Sequence, residues 1–445
     1  MLLLTDFRFR VCTQFMLFLV LGFGVSVSVA QADDWPQWGG PNRDLVWREK
    51  GILKTLPTTD LLPRVWSVPI GEGYSGPAVA DGRVYITDYQ RRNGRDSTER
   101  VLCLDAESGI RRWIHEYKAL YTVSYPNGPR STPVVDEDRV YTIGAVGHMF
   151  CFNAKTGKVL WQKNFVKDFD AELANWGTVA SPLVDGNQLI TLVGGKQNSL
   201  VVSFDKMTGK ELWRSLDSPA VGYAPPMIFT FGNTRQLIIW HPLAVSSLNP
   251  ANGKVIWEVP FRVSNGLTIA TPRKVGNRLF VSSFYNGPLM IEVSQDGSSA
   301  KVAWKGTSNN EQKTDGVHCL IPTPWMTKNH IYGVCSYGAL RCLDAKTGKR
   351  IWSTYEATGN DRWWTAFIVP HEDRYFIHNE QGDLIIANLS PDGYEEISRA
   401  KLVEPTRKVL RRITIWSHPA FAMKSVFARN DKEIVRVSLA AEKKN

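Results

Sequence analysis

An eight-bladed, all-β propeller made of four-stranded antiparallel blades is the fold this sequence predicts, on two observations. An aromatic closes a strand-like unit at intervals of about 47 residues, as Trp66, Trp113, Trp161, Trp213, Trp257, Trp304 and Trp352, and Ile397 takes the eighth slot. The last repeat stops at residues 436–439 with no turn and no closing Trp, while a strand without a repeat of its own stands at residues 64–68. Pairing those two ends in one blade closes the ring and removes exposed sheet edges. A chain of 445 residues would suggest about three domains by length alone. Repetition overrides that prior, because no single repeat can bury its own apolar face.

The N-terminal residues 1–32 read as a secretory signal peptide. Arg8 and Arg10 precede an apolar run from Val11 to Val29, and Ala30-Gln31-Ala32 supplies the small residues of a cleavage site. The protein is therefore expected to be exported, periplasmic or extracellular, with no stable membrane span once the segment is removed. Residues 33–63, with Trp35, Trp38 and Trp47 among Pro and Gly, read as an extended strap held against the ring.

The propeller itself is expected over residues 64–439, with a polar tail at 440–445. Its clearest unit runs Asp105-Ala106-Glu107-Ser108-Gly109 to Trp113, Asn153-Ala154-Lys155-Thr156-Gly157 to Trp161, and Asp344-Ala345-Lys346-Thr347-Gly348 to Trp352. Asp or Asn bonds its own backbone two residues on, and Gly accepts positive φ, so each segment is a hairpin turn before the outermost strand. The seven Trp residues then read as interblade glue, since each buries about 150–250 Å². Blades open on Thr132-Pro133, Ser181-Pro182, Thr271-Pro272, Thr323-Pro324 and His418-Pro419, where the missing N–H of Pro need not pair. Cys103, Cys151 and Cys342 recur two residues before the turn, where other repeats carry Ser203 and Ser247, which marks a small core position rather than a ligand. Of the six cysteines, Cys12 lies in the signal segment; Cys319 and Cys335 complete the five that remain after its removal, an odd number that leaves at least one thiol unpaired.

Lys and Arg total 53 against 43 acidic residues, a formal charge of +10 spread along the chain, with one cluster at Arg407, Lys408, Arg411 and Arg412. In an exported protein this reads as a solvated loop and not as a nucleic-acid groove. There is no C-x-x-C-H, H-E-x-x-H, G-x-S-x-G or phosphate-binding loop.

The turns and their eightfold recurrence resemble the pyrroloquinoline-quinone-like (PQQ-like) propeller family. That resemblance implies either a quinoprotein alcohol or sugar dehydrogenase, with PQQ and Ca²⁺ in a central funnel, or a non-enzymatic scaffold such as the outer-membrane assembly lipoprotein. Alcohol-oxidising members place adjacent cysteines over the cofactor, and this chain has no Cys-Cys dipeptide. The reading is therefore a monomeric binding or scaffold module for a protein partner or small ligand, without catalysis. Quinoprotein oxidoreductase is the alternative and carbohydrate recognition the second alternative.

A ligand would meet the loops that precede each blade's first strand, which carry Tyr125, Asn127 and Arg130; Asn175 and Trp176; Tyr223; Asp315 and His318; Arg362, Trp363 and Trp364; Trp416 and His418. The binding candidates are Arg130, Trp176, Asp315, His318, Arg362, Trp364 and His418, because aromatic faces with a few charges suit a planar or sugar-like ligand. Asp315 and His318 are the acid/base candidates if the protein is an enzyme, and no metal site is assigned.

Overall fold

The structure is a computed structural model, described here for residues 33–91, 96–409 and 411–442. The expected signal segment lies outside the described residues. Among these no helix is long and apolar enough to cross a membrane.

Eight four-stranded antiparallel sheets follow one another around a ring. From inner to outer strand, blade 1 runs from Ala78–Ala80 to Arg111–Lys118, blade 2 from Val134–Asp136 to Val159–Asn164, and blade 3 from Leu183–Asp185 to Glu211–Ser215. Blade 4 runs from Met227–Phe231 to Val255–Pro260, blade 5 from Arg273–Val275 to Ala300–Lys305, and blade 6 from Trp325–Met326 to Arg350–Thr354. Blade 7 runs from Ala366–His371 to Gly393–Lys401. Blade 8 takes its three inner strands from Ala420–Ala422, Ser425–Arg429 and Glu433–Ser438, and its outer strand from Arg64–Pro69. Trp66 faces Arg436 and Pro69 faces Glu433 across that closing pair, and Arg64 donates to both oxygens of Glu433 at 2.7 and 2.9 Å.

The turn chemistry follows from the repeat. Asp105 Oδ1 accepts from the Ser108 amide and hydroxyl, both at 2.8 Å, and Asn153, Asp205 and Asp344 hold Thr156, Thr208 and Thr347 in the same way. Just before the turn the outer pair skips a residue, a bulge that sets Trp113 opposite Cys103, Trp161 opposite Cys151, Trp213 opposite Ser203 and Trp352 opposite Cys342. The small side chain leaves room for the indole, which explains why Cys and Ser recur there. The five cysteines among the described residues are free and buried.

Each indole reaches the next blade. Trp66, Trp113, Trp161, Trp213, Trp304 and Trp352 donate Nε1–H to the carbonyls of Ala106, Ala154, Lys206, Pro250, Ala345 and Ser390, at 2.8–3.1 Å. Trp257 does so through a relay, donating to Gln236, whose amide donates to Gly297 O. The ring of Trp113 lies so close to the turn of blade 2 that a Cβ on Gly157 would sit 2.6 Å from it, and φ there is +72°. Glycine at this place thus serves both the left-handed turn and the indole packed on it.

Blade 7 breaks the pattern. The residue matching the closing Trp is Ser398, opposite Ile386, and not Ile397, which occupies the bulge and is 37% exposed. Large and small have changed strands. Blade 8 also lacks the turn on which a Trp from blade 7 would pack, because its third strand, Glu433–Ser438, is not followed by a fourth.

The N-terminal segment fills that seam. Leu56 N donates to Ser398 Oγ (2.9 Å), Leu62 N to Lys401 O (2.8 Å), and Leu53 N to Leu439 O (2.9 Å). Ile52, Leu56, Leu62 and Trp47 join one buried cluster with Phe376, Ile386, Phe421 and Phe427 of blades 7 and 8. Further upstream the same segment crosses the end of the central channel. Trp35 pairs with Val79 of blade 1, and Pro36 O accepts from Val135 of blade 2. Arg43 donates to Pro182 O and Pro226 O of blades 3 and 4, and Trp38 Nε1 donates to Thr271 of blade 5. Burial without a carboxylate partner pulls the Arg43 guanidinium down to about 9.

Candidate functional site

With one end of the channel crossed by this segment, the ring encloses a blind funnel of about 400 Å³. Its walls are mainly the connections that run from the outer strand of one blade to the inner strand of the next, joined by Phe284 and Tyr285 from the turn between the second and third strands of blade 5 and by Phe367 from the inner strand of blade 7. The Ser/Thr-Pro openings are knitted together around it. Thr132 N donates to Ser181 Oγ and Thr271 N to Thr323 Oγ1, both at 3.0 Å, so each hydroxyl satisfies an amide of the preceding blade.

The floor is Trp38, edge-on to His418 with ring centroids 4.3 Å apart. Thr132 Oγ1 lies 2.8 Å from His418 Nε2, while Nδ1 lies 3.3 Å from Pro419 O and can only donate there. Burial drives this imidazole down to about 4, so it is neutral near pH 7, with Nε2 as acceptor.

Above the floor, Tyr125 and Trp176 lie nearly parallel, with centroids 6.5 Å apart. Trp363 and Trp416 meet Tyr125 edge-on at 5.5 and 5.8 Å. Tyr125 and Trp363 both have φ of +68°, a conformation that bulky residues rarely take. The Trp363 amide, bonded to Ser336 O, holds one of these backbones in place. Strain of this kind persists only where the surroundings over-determine it, and it gathers at binding sites.

Two guanidinia face the cavity. Arg362 pairs with Glu311 at 2.7 Å and covers the Trp363 ring at 4.6 Å; burial alone would lower its pKa, but Glu311 carries it upward. Arg130 lies over Tyr74 at 4.3 Å and donates to Gly128 O and Ser124 O. No carboxylate among the described residues stands within ion-pair distance of it. Burial lowers its pKa.

Arg130, Trp176, Arg362 and His418 thus line one cavity together with Tyr125, Tyr223, Trp363 and Trp416. Asp315, His318 and Trp364 do not line it. His318 is fully buried, with Nε2 3.4 Å from Asp315 and Nδ1 3.1 Å from Phe284 O. Burial favours the neutral acid of Asp315, but the bonds from Thr307, His318 and Ser308 outweigh it and hold the carboxyl at about 2. That pair pins the 306–318 loop from behind. Trp364 packs on Gly338 and Gly359 beneath Arg412. Within the basic cluster, Arg407 pairs with Asp431 and Arg412 with Glu380 and Asp361, leaving Lys408 and Arg411 exposed.

Sequence reasoning missed Tyr74, Phe284, Tyr285 and the aliphatic wall of Leu267, Ile269, Leu320 and Ile321. It also missed Trp38 as the floor; the Trp35-Pro36-Gln37-Trp38 cluster in a segment with no repeat was its one signal.

A family profile described as outer membrane protein assembly factor BamB matches residues 97–354, more than half of the chain. The chain belongs to this family of PQQ-like propellers. Among curated relatives, the assembly factor BamB of Burkholderia pseudomallei is 26% identical over 252 residues, covering 54% of this chain and 59% of the relative. The polyvinylalcohol dehydrogenase of a Sphingopyxis species is 25% identical over 227 residues, covering 44% of this chain and 32% of the enzyme. The chain therefore matches less than two thirds of either relative's length. The quinohemoprotein alcohol dehydrogenase of Comamonas testosteroni shares the fold, with a TM-score of 0.60 at 12% identity over 92% of this chain and 81% of that one.

Proposed function

We propose that this protein is an exported binding module of the family, holding a small ligand or a segment of a protein partner in the funnel without catalysis. The observation that carries this reading is the blind, aromatic-walled cavity with no carboxylate or side-chain amide among its described lining residues. A volume of about 400 Å³ falls within the ~300–1,000 Å³ of ligand sites, which are mostly apolar with a few placed polar groups. A relative named as an assembly factor favours action by binding.

Relatives named as a polyvinylalcohol dehydrogenase and a quinoprotein ethanol dehydrogenase favour the second reading, a quinone cofactor with Ca²⁺. The wall offers rings on which a quinone could stack. Ca²⁺ takes about six to eight oxygen ligands, chiefly carboxylate and amide, and the donor set present does not fit. Glu311 and Glu380 stand behind the wall, committed to Arg362 and to Arg412 and Trp416. Among the described residues no three His, Cys, Asp or Glu side chains group as a metal site.

The test is a melting-temperature screen with small aromatic and aliphatic fragments on the natural chain and on Val179→Trp, which fills the cavity from its wall. Fragments are expected to raise the melting temperature of the natural chain only. Equal shifts in both proteins would remove the funnel as the site. Saturable binding of PQQ with Ca²⁺, together with dye-linked oxidation of an alcohol or sugar, would replace this reading by the second.

A further inference from the structure

The funnel has two unlike halves. The connections entering blades 3, 5 and 6 present Val179, Leu267, Ile269, Leu320 and Ile321, an aliphatic face interleaved with the rings of Trp176, Tyr223 and Tyr285. Across the axis, the connections entering blades 1, 2, 7 and 8 present aromatic rings and both guanidinia. A ligand that satisfies both halves has an apolar body and a polar end.

The sign of that end follows from the charges. Arg362 is neutralised by Glu311. Arg407, over the same Tyr74 ring as Arg130 at 3.6 Å, is neutralised by Asp431. Glu99 is the buried carboxylate of this region, and it is occupied by the hydroxyls of Tyr117 and Tyr121, both at 2.6 Å, and by the Ala145 amide. Desolvation raises its pKa, while these hydrogen bonds and the longer-range attraction of Arg130 oppose that rise. Arg130 is therefore the wall guanidinium without an ion-pair partner among the described residues, and it matches one negative charge. A planar polyanion would need more.

Resting on the reading of the funnel as a ligand site, we infer that it accepts a straight-chain amphipathic monoanion, with the carboxylate at Arg130 and the alkyl chain along the aliphatic face. A guanidinium suits a carboxylate because its planar donors match the two oxygens. The low-dielectric wall strengthens that pairing relative to water.

The experiment titrates the full chain with decanoate, decan-1-ol and decyltrimethylammonium, following tryptophan fluorescence and calorimetry. Decanoate is expected to bind at least tenfold tighter than decanol, and the ammonium most weakly. Arg130→Gln should bring decanoate to the decanol value and leave decanol unchanged, while Arg130→Lys keeps most of the preference. The lysine variant matters because Arg130 also bonds the loop carbonyls of Ser124 and Gly128. Equal affinity for decanoate and decanol, or a preference that survives Arg130→Gln, overturns the anion assignment and leaves the funnel standing as a site. Failure of all three alkyl probes overturns the alkyl assignment, and the fragment screen on Val179→Trp then decides separately whether the funnel binds anything.

Discussion

Seven seams of the ring and the eighth are sealed by different means. Between ordinary neighbours one indole suffices, because the partner blade brings its own turn, with a carbonyl to accept the Nε1–H and often a glycine to receive the ring. Between blades 7 and 8 there is neither turn nor closing Trp from the repeat, and residues 47–62 lie in their place. A repeat can seal itself only where the next repeat is whole. Beside the blade that closes the ring, the seal must come from outside the repeat, and here the same segment also floors the funnel with Trp38.

The sharpest way to break this contrast is to delete residues 62–70. The loss removes the outer strand of blade 8 and with it Trp66, so the whole ring is expected to lose its cooperative melting transition. An unchanged melting temperature would refute closure by paired termini. Next in size is Trp47→Ala, which empties a site packed against His371, Phe376 and Phe421. Its cost by urea unfolding should be about 3–5 kcal/mol, and more than that of Trp161→Ala at an ordinary seam, where the indole is only half buried. A reversed order would make the N-terminal segment decoration.

Ser398→Trp restores the repeat in blade 7, yet it should destabilise by about 1–3 kcal/mol, since the indole displaces the segment that donates to Ser398. Stabilisation would show that the seam had simply been missing its Trp. The smallest expected effect is graded by pH. His418 and His378 are buried and held near 4, and burial also lowers His371. Neutral in the folded chain, they take up protons on unfolding below about 6.5. Their contribution is therefore complete above pH 6.5 and lost as pH falls from there towards 4. Asp205 and Asp344 in the ordinary turns are held low by their hydrogen bonds to Thr208 and Thr347, so their contribution persists until pH falls below about 4. Amide exchange should thus quicken first in residues 35–62 on acidification, and only at lower pH in the turns. Simultaneous loss would remove the distinction.

The ring was legible because Trp, Gly-turn and small-residue positions recur in fixed relation, so each repeat corroborates the next. Ile397 was misplaced for the same reason. The period asks for a bulky residue, and the exchange of size between Ile386 and Ser398 is invisible until the strands are paired. The funnel was partly legible, since aromatic residues crowd corresponding loops, and Arg130, Trp176, Arg362 and His418 do meet there. Residue type alone could not separate Trp363, which faces the cavity, from Trp364, which packs behind it on Gly338 and Gly359. Nor could it reveal that Asp315 turns to Thr307. Those outcomes depend on the backbone path of irregular loops. Trp38 had no register to be read against.

The pairing of Arg64 with Val437 also dictates when the molecule can be completed. The earliest strand must wait, unpartnered, until the last one has been synthesised, so partial chains of any length expose a free edge that invites misassociation. Contacts of such wide sequence separation make folding slow. Vectorial synthesis can lay down blades one by one, but the circle is fastened only by its final residues.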